Sequence, residues 1–480
     1  MVEAKHNGRA VDPLVTALAD VVGPSHVLTD PELCASYETD WTGRFAGRAA
    51  AVVRPGSTAE VAAVLALLHE AGRAVVPQGG NTGLVGGGVP LHGEVVLTLR
   101  RLADLEPVDA AAGQLTAGAG ATAAMVDAAA GSVGLAFGVD LAARDSATVG
   151  GMAATNAGGL RMLRYGGMRA QTAGIEAVLA DGRVVSHLGG LAKDNTGYDL
   201  AGLLAGSEGT LAVITRLRLR LVPRLGHRTT GLLAFADAEA ALAAVVALRR
   251  RLPHWLEAVE LFLAGGVALV CDHLGIAPPF GRLDPVYLLV EVAAPHDPTE
   301  ELAEAVLEGV GERALDGAVE AEPAGRARLW RYREAHTEAI NAAGVPLKLD
   351  VTLPAGELGR FLADVPGTVA AVAPGARCVL FGHAADGNVH VNVLGAGDRA
   401  AGGGRAAPVE DAVLRLVARL GGSISSEHGI GAAKRRWLHL NRSPAEIDTF
   451  RAIKRALDPA GILNPHVLLP EEGATAPPLG

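Results

Sequence analysis

The 480-residue chain has only three cysteines, Cys34, Cys271 and Cys378, far apart and without CxxC or metal-type spacing. That excludes a disulfide framework and a cysteine-based zinc site, and the thiols read as reduced ones of a cytoplasmic protein. Aromatic residues make up 4% of the chain, no long basic run accompanies them, and 42 Lys and Arg against 52 Asp and Glu leave a formal net charge of -10. The basic, aromatic-studded footprint that holds nucleic acid is missing. The most apolar stretch, residues 256–270, carries Glu257 and Glu260 and is too short to span a bilayer. The opening MVEAKHNGRAVDP lacks an apolar leader core, so an unexported, cytoplasmic chain is expected. No Gly-Lys dipeptide occurs, which removes a P-loop, and no internal repeat is found.

What is present is a globular composition, 49% hydrophobic and 20% charged, in a chain long enough for two or three domains. Residues 10–40 read as short helices forming a cover segment that ends at Asp40-Trp41. From Ala50 a short strand, a helix opening at Ser57-Thr58 with Glu60, and a strand running into glycine form a βαβ-like unit. Asp181-Gly182 predicts a hairpin and GTLAVITRLRLRLVP a half-buried strand closing at Pro223. Alternating strands and helices from Arg228 predict a second α+β domain, residues 396–408 a flexible loop, and the end of the chain a disordered tail. Residues 140–167 show little periodicity.

The 62 glycines are nearly double the usual share of ~7% and fall in clusters. Gly118-Ala-Gly120-Ala-Thr-Ala123, with Asp140 near the expected acidic position, matches a dinucleotide fingerprint, but irregular sequence follows where another strand and crossover helix are required. More specific is Pro77-Gln-Gly-Gly-Asn-Thr-Gly-Leu-Val-Gly-Gly-Gly88, in which six of ten residues from Gly79 are glycine. Its exposed backbone N–H groups, with Asn81 and Thr82, suit a concave nest for a pyrophosphate. Ser146 to Gly159 offers the same chemistry, and Gly206-Ser-Glu-Gly209-Thr runs into a strand.

These segments in this order resemble the flavin-binding domain of the vanillyl-alcohol oxidase and p-cresol methylhydroxylase superfamily. PQGGNTGLVGG, ATNAGGLRMLRYG, KDNTGYDL and GSEGTLAVIT resemble more closely the FAD-linked D-2-hydroxy-acid dehydrogenases, over about residues 10–470. The resemblance implies an α+β protein: a two-subdomain FAD-binding domain to residue 225, an α+β substrate or cap domain over 226–430, and a C-terminal helical segment, 431–470, packing back on the FAD domain before a tail over 471–480. It implies noncovalent FAD contacted by Pro77, Gly79, Gly80, Asn81, Thr82, Gly83, Leu84, Asp140, Thr148, Gly151, Thr155, Asn156, Gly158, Gly209, Ile214 and Asn464.

In VLFGHAADGNVHVNVL, His383 and His390 flank a predicted turn at Asp386-Gly387, and His390 and Asn392 share one strand face while Val389, Val391 and Val393 take the other. Two histidines across a turn suit a divalent metal, zinc if a third ligand such as Glu427 joins them, and are equally common as solvated surface residues. The resemblance assigns His383, His390 and Glu427 to a metal, Asn392 to substrate and His428 to the general base. It departs from the family at Ala385, where glycine is more frequent, and at His466 after Asn464-Pro465.

Arg333 and Thr337 stand four apart, on one face of a continuous helix, and Lys348, among only five lysines, lies in an apolar strand. All three suit a substrate carboxylate. Their pattern resembles the D-2-hydroxyglutarate dehydrogenase branch, with D-malate as a further substrate, D-lactate or glycolate as the alternative, and an oxidase reacting with oxygen also open. The family suggests an electron-transfer flavoprotein or quinone-linked acceptor, and a homodimer is compatible. A flavin-carrying subunit of an electron-transfer complex fits the intact His and Glu set less well, and a metal hydrolase would leave the glycine segments without purpose.

Overall fold

A computed structural model of the chain describes residues 12–396 and 406–471. Most of the expected flexible loop, and the expected tail beyond Glu471, lie outside the described residues, and Ala406–Arg419 is helical rather than loop.

Helix Thr58–Glu70 starts where the Ser57 side chain accepts the Glu60 N–H at 3.2 Å, a cap that satisfies an otherwise unpaired donor. Its stripe of Val61, Val64, Leu65 and Leu68 is buried in the core of a four-stranded sheet ordered Val27–Leu28, Ala51–Val53, Val95–Thr98, Val75–Gln78. Ala51–Val53 and Val75–Gln78 both run parallel to Val95–Thr98, which inserts between them. A second sheet runs Gln114–Gly118, Val213–Pro223, Thr172–Val178, Val184–His187, with Leu135–Phe137 also on Val213–Pro223, all antiparallel. The GxGxxA segment therefore leaves an antiparallel strand, without the parallel sheet a dinucleotide fold needs. Both sheets share one apolar core, to which Ile462 and Leu463 return from the C-terminal end.

Residues 140–167 depart from the aperiodic expectation: they contain helices Val149–Thr155 and Met162–Tyr165, with Met168–Gln171 following. Helices of one or two turns, built largely of glycine and alanine, carry too little polar contrast for a period of 3.6 to show.

The third sheet has seven antiparallel strands in the order Ala314–Glu320, His227–Phe235, Val286–Ala294, Leu256–Leu263, Arg377–His383, Asn388–Leu394, Leu347–Thr352. Helices Ala238–Arg251, Leu358–Val372 and Ala406–Arg419 cover one face in a core with Val351, Val389, Val391 and Val393. Helices Ala264–Leu274, Pro323–Glu334 and His336–Ala343 cover part of the other, around Phe262, Tyr287 and Phe381. Residues opposed across antiparallel strands point the same way. Pairing of Lys348 with Asn392, Asp350 with His390, His390 with Phe381 and His383 with Glu260 therefore gathers polar groups on this second face, towards the edge strand.

Candidate active site

The glycine loops meet backbone to backbone. A Cβ on Gly80 would lie 2.0 Å from the Ser146 carbonyl oxygen, and one on Gly79 would lie 2.2 Å from Thr148 Oγ1; no side chain fits there, so the two loops form one cradle. Thr148 caps helix Val149–Thr155, its Oγ1 accepting from Gly151 N–H at 3.4 Å, and Thr155 Oγ1 donates to the Gly151 carbonyl at 3.1 Å. Asn81 (φ 56), Asn156 (φ 51) and Asn464 (φ 42) adopt left-handed backbone, which asparagine tolerates better than most side chains.

Gly209 lies against Pro77, and Asn464 Nδ2 donates to Gly87 and Glu208 carbonyls, each at 2.9 Å. Pro77, Gly79, Gly80, Thr148, Gly151, Gly209 and Asn464 are thus brought together. Gly158 faces Glu427 Oε1, 3.5 Å from where its Cβ would stand. Leu84 lines a cavity with His428 and Lys348. Asp140 is spent on Arg161 at 3.2 Å and Arg144 at 3.3 Å, Ile214 is buried in the core, and the Asn81 side chain donates to the Thr39 carbonyl at 2.9 Å.

His383 and His390 lie with ring centroids 5.5 Å apart, and the ligand atoms of His383, His390 and Glu427 are all within 4.8 Å of one another. His383 Nδ1 bonds Glu260 Oε1 at 2.6 Å while its Nε2 stands 3.7 Å from Glu427 Oε1. His390 Nδ1 faces Asp350 Oδ1 at 3.3 Å. Each imidazole thus turns one nitrogen to a buried carboxylate and leaves the other for the centre, the arrangement that orients metal-binding histidines. Burial opposes charge on His383, but Glu260 outweighs it and pushes the imidazole up to about 9. Burial likewise opposes charge on Glu260, yet Arg333 and His383 hold the carboxyl down at about 2.

Asp350, His390 and His428 form a second cluster of metal-ligand type. Asp350 is already occupied: Oδ2 accepts the N–H groups of Ser426, Glu427 and His428 at 3.2, 2.7 and 3.1 Å, and Oδ1 accepts Asn388 Nδ2 at 2.6 Å. With His390 Nδ1 facing Oδ1 as well, these contacts occupy both oxygens of the carboxylate. The first cluster is the one whose donor set, two imidazoles and a carboxylate, fits a divalent cation of the zinc class.

The loop bearing Glu427 and His428 is fixed from both sides. Thr352 and Ser423 exchange backbone bonds at 3.0 and 2.7 Å on the sheet side. On the other, Glu208 accepts Ile430 N–H and Gly431 N–H, both at 2.7 Å. Glu427 Oε1 itself accepts Gly159 N–H at 3.0 Å, so the loop joins the glycine cradle to the histidine face. His428 Nδ1 lies 3.9 Å from Asp350 Oδ2, leaving Nε2 on the opposite side of the ring. Asp350, Glu260 and Glu208 were not singled out as site residues in the sequence; for Asp350 the signal existed, two positions from Lys348 in the same strand.

The carboxylate-binding trio does not assemble as expected. The helix breaks at Ala335, so Arg333 ends Pro323–Glu334 and the exposed Thr337 begins His336–Ala343; the single helical face expected for them is not formed. Arg333 Nε bonds Glu260 at 2.5 Å and its guanidinium covers the Phe381 ring at 4.6 Å. Lys348, by contrast, lines the cavity with His428, has its Nζ 5.9 Å from the Trp41 ring centre, and is lowered in pKa by burial and then by Arg44. Asn392 is buried beside it in register.

Two family models match this architecture: an FAD binding domain over residues 49–187 and the C-terminal domain of FAD linked oxidases over residues 225–468. Among solved structures, an alkyldihydroxyacetonephosphate synthase superposes with TM-score 0.74 at 15% identity, covering 95% of this chain and 86% of that one. p-Cresol methylhydroxylase with substrate bound gives 0.72 at 17%, covering 94% and 95%. At such identities the likeness is one of fold. It agrees with the α+β fold that the resemblance implies, and the two family models define the class as that of flavoproteins with an FAD-binding domain. More particularly, the chain belongs to the FAD-linked oxidase family, in its D-2-hydroxy-acid dehydrogenase group. Similar curated proteins include the D-2-hydroxyglutarate dehydrogenase of Xanthomonas citri pv. viticola, 38% identical over 95% of this chain and 97% of that protein. The mitochondrial D-2-hydroxyglutarate dehydrogenases of Bos taurus, 37% over 95% and 83%, and of Arabidopsis thaliana, 34% over 95% and 81%, are also similar. Among the described residues no helix is long and apolar enough to cross a membrane.

Proposed function

We propose that the protein oxidises D-2-hydroxyglutarate to 2-oxoglutarate with FAD and a divalent cation, the cation held by His383, His390 and Glu427. The observation that carries this reading is the face on which those ligands, His428, Asn392 and Lys348 converge beside the flavin cradle. FAD would lie along Pro77 to Leu84, Thr148 to Gly158 and Gly209, with Asn464 joining them from the C-terminal segment. FAD bound there would supply the hydride acceptor for C2, and a divalent cation on His383, His390 and Glu427 would supply Lewis acidity at the C2 hydroxyl. His428 takes the hydroxyl proton at Nε2, Asp350 faces its Nδ1, and Asn392 orients the substrate. Lys348 supplies the cationic end of the site, while Arg333 acts through Glu260 on His383. The names of the similar proteins support the substrate; an electron-transfer flavoprotein or quinone-linked carrier would complete the cycle.

The test is the visible spectrum of purified, FAD-loaded protein under anaerobic conditions. D-2-hydroxyglutarate is expected to bleach the flavin band at lower concentration than D-malate or D-lactate; bleaching by D-lactate alone would replace the dicarboxylate reading with its alternative. The metal assignment is tested separately by elemental analysis. Glu427→Ala should lose the cation while keeping the flavin absorbance, and retention at full stoichiometry would remove Glu427 from the ligand set.

A further inference from the structure

Residues 37–48 precede both matched segments, yet they reach the site. The segment is a built loop: Asp40, 4% exposed, accepts Phe45 N–H at 3.0 Å and Thr42 Oγ1 at 2.5 Å, and Arg44 N–H donates to Thr42 Oγ1 at 3.2 Å. It is fastened to the glycine loop. Gln78 Nε2 donates to the Tyr37 carbonyl at 2.9 Å and Arg48 N–H to the Pro90 carbonyl at 3.1 Å, and the Phe45 ring lies against Gly86, where a Cβ would approach to 2.7 Å.

From this loop, Thr42 and Arg44 line the same cavity as Lys348, His428 and Lys434. Among the described residues its lining carries the basic side chains of Arg44, Lys348 and Lys434 and one carboxylate, Glu410, which stands 3.6 Å from Arg44, while Asp350 and Glu208 face Lys434 from outside the lining. Lys348 has no carboxylate within ion-pair distance among the described residues. Positive charge held in excess and partly out of water favours an anion in the cavity. At the far end of the polar face, Arg333 is already paired with Glu260, which leaves the Lys348 end as the place for a second carboxylate.

We propose that Arg44 is a specificity-determining residue which, with Lys348, receives the substrate carboxylate remote from C2, so that the N-terminal segment selects dicarboxylic 2-hydroxy acids. This rests on the dicarboxylate reading above. Planar, bidentate recognition suits a guanidinium, and delivering it from a separate loop ties acid selection to residues outside the flavin and metal machinery.

The test compares the ratio of kcat/KM for D-2-hydroxyglutarate to that for D-lactate in the FAD-loaded wild type and in Arg44→Met. A second readout is binding of 2-oxoglutarate and pyruvate, followed by perturbation of the flavin spectrum. The selectivity ratio should fall by about tenfold or more, as loss of a charge-assisted contact implies, and the binding ratio should fall with it. Arg44→Lys should recover part of both. Because Arg44→Met strips a cation from the buried Glu410, the pair Arg44→Met with Glu410→Gln is the form to use if the single variant does not fold. A wild type that prefers the dicarboxylate, with variants that keep its ratio, overturns the role of Arg44 alone. A wild type with no preference overturns the dicarboxylate reading and this proposal together.

Discussion

Replacing His428 with Asn is expected to lower kcat by about a hundredfold to ten-thousandfold, the usual worth of a positioned general base, while flavin absorbance and metal content persist. The imidazole is held by its surroundings rather than by its own bonds: its backbone N–H is one of three donated to Asp350, and its Nδ1 faces the same carboxylate. Burial lowers its pKa, Asp350 opposes this, and Lys434 adds to the lowering; the net direction is below the ordinary histidine value. The neutral form, the only one able to accept a proton, therefore predominates at neutral pH. As pH falls through this lowered pKa the base protonates and kcat/KM declines, so wild-type activity should show an acidic limb positioned below 6.5. His428→Asn should be flat there. A variant that keeps both its rate and its acidic limb would move the base elsewhere.

The sequence made the donor atoms of this site legible but not the groups that orient them. His383 and His390 could be placed because Asp386-Gly387 marks a turn and the valines alternate, and Gly387 does take a left-handed φ of 79. Glu260 was visible only as a charge interrupting an apolar run; that it faces His383 depends on strands 123 residues apart in sequence pairing in one register, which local pattern does not encode. Asp350 lies in the same position, its partners drawn from strand Asn388–Leu394 and from the loop at 426–428. Arg333 and Thr337 show the converse error. Spacing of four implies one face only if the helix is continuous, and the break at Ala335 separates them. The glycine loops were legible because close backbone approach leaves glycine as the only residue that fits, as at Gly79 and Gly80; the short helices between them were not.

Asp350→Asn is expected to be the most damaging conservative change outside the ligands and the base. Burial opposes the Asp350 charge, but His428, His390 and Lys434 hold its carboxyl well below the usual range, so it is an anion in the folded protein. An amide in its place keeps one acceptor oxygen and turns an NH2 either towards three converging N–H donors or towards the Asn388 amide, whose Nδ2 it now accepts at 2.6 Å. Either orientation leaves buried donors without acceptors and takes from Lys434, buried with its Nζ on the Asp350 carbonyl at 3.1 Å, the strongest of its carboxylate neighbours, leaving Glu208 and Glu410. Buried donors left unpaired and a weakened charge balance at Lys434 imply a loss of about 3 kcal/mol in stability. The greater effect is on chemistry. Loss of the group orienting His390 should weaken metal binding by about 10- to 100-fold, and release of the loop at Ser426 to His428 displaces the base, so kcat/KM should fall by about a thousandfold at pH 7. Thermal unfolding, metal content and steady-state kinetics on the same FAD-loaded preparation separate the two terms. If added metal and lowered temperature restore wild-type kcat, Asp350 serves only stability; if the kinetic deficit survives saturation with metal in folded protein, its carboxylate is what aims His428.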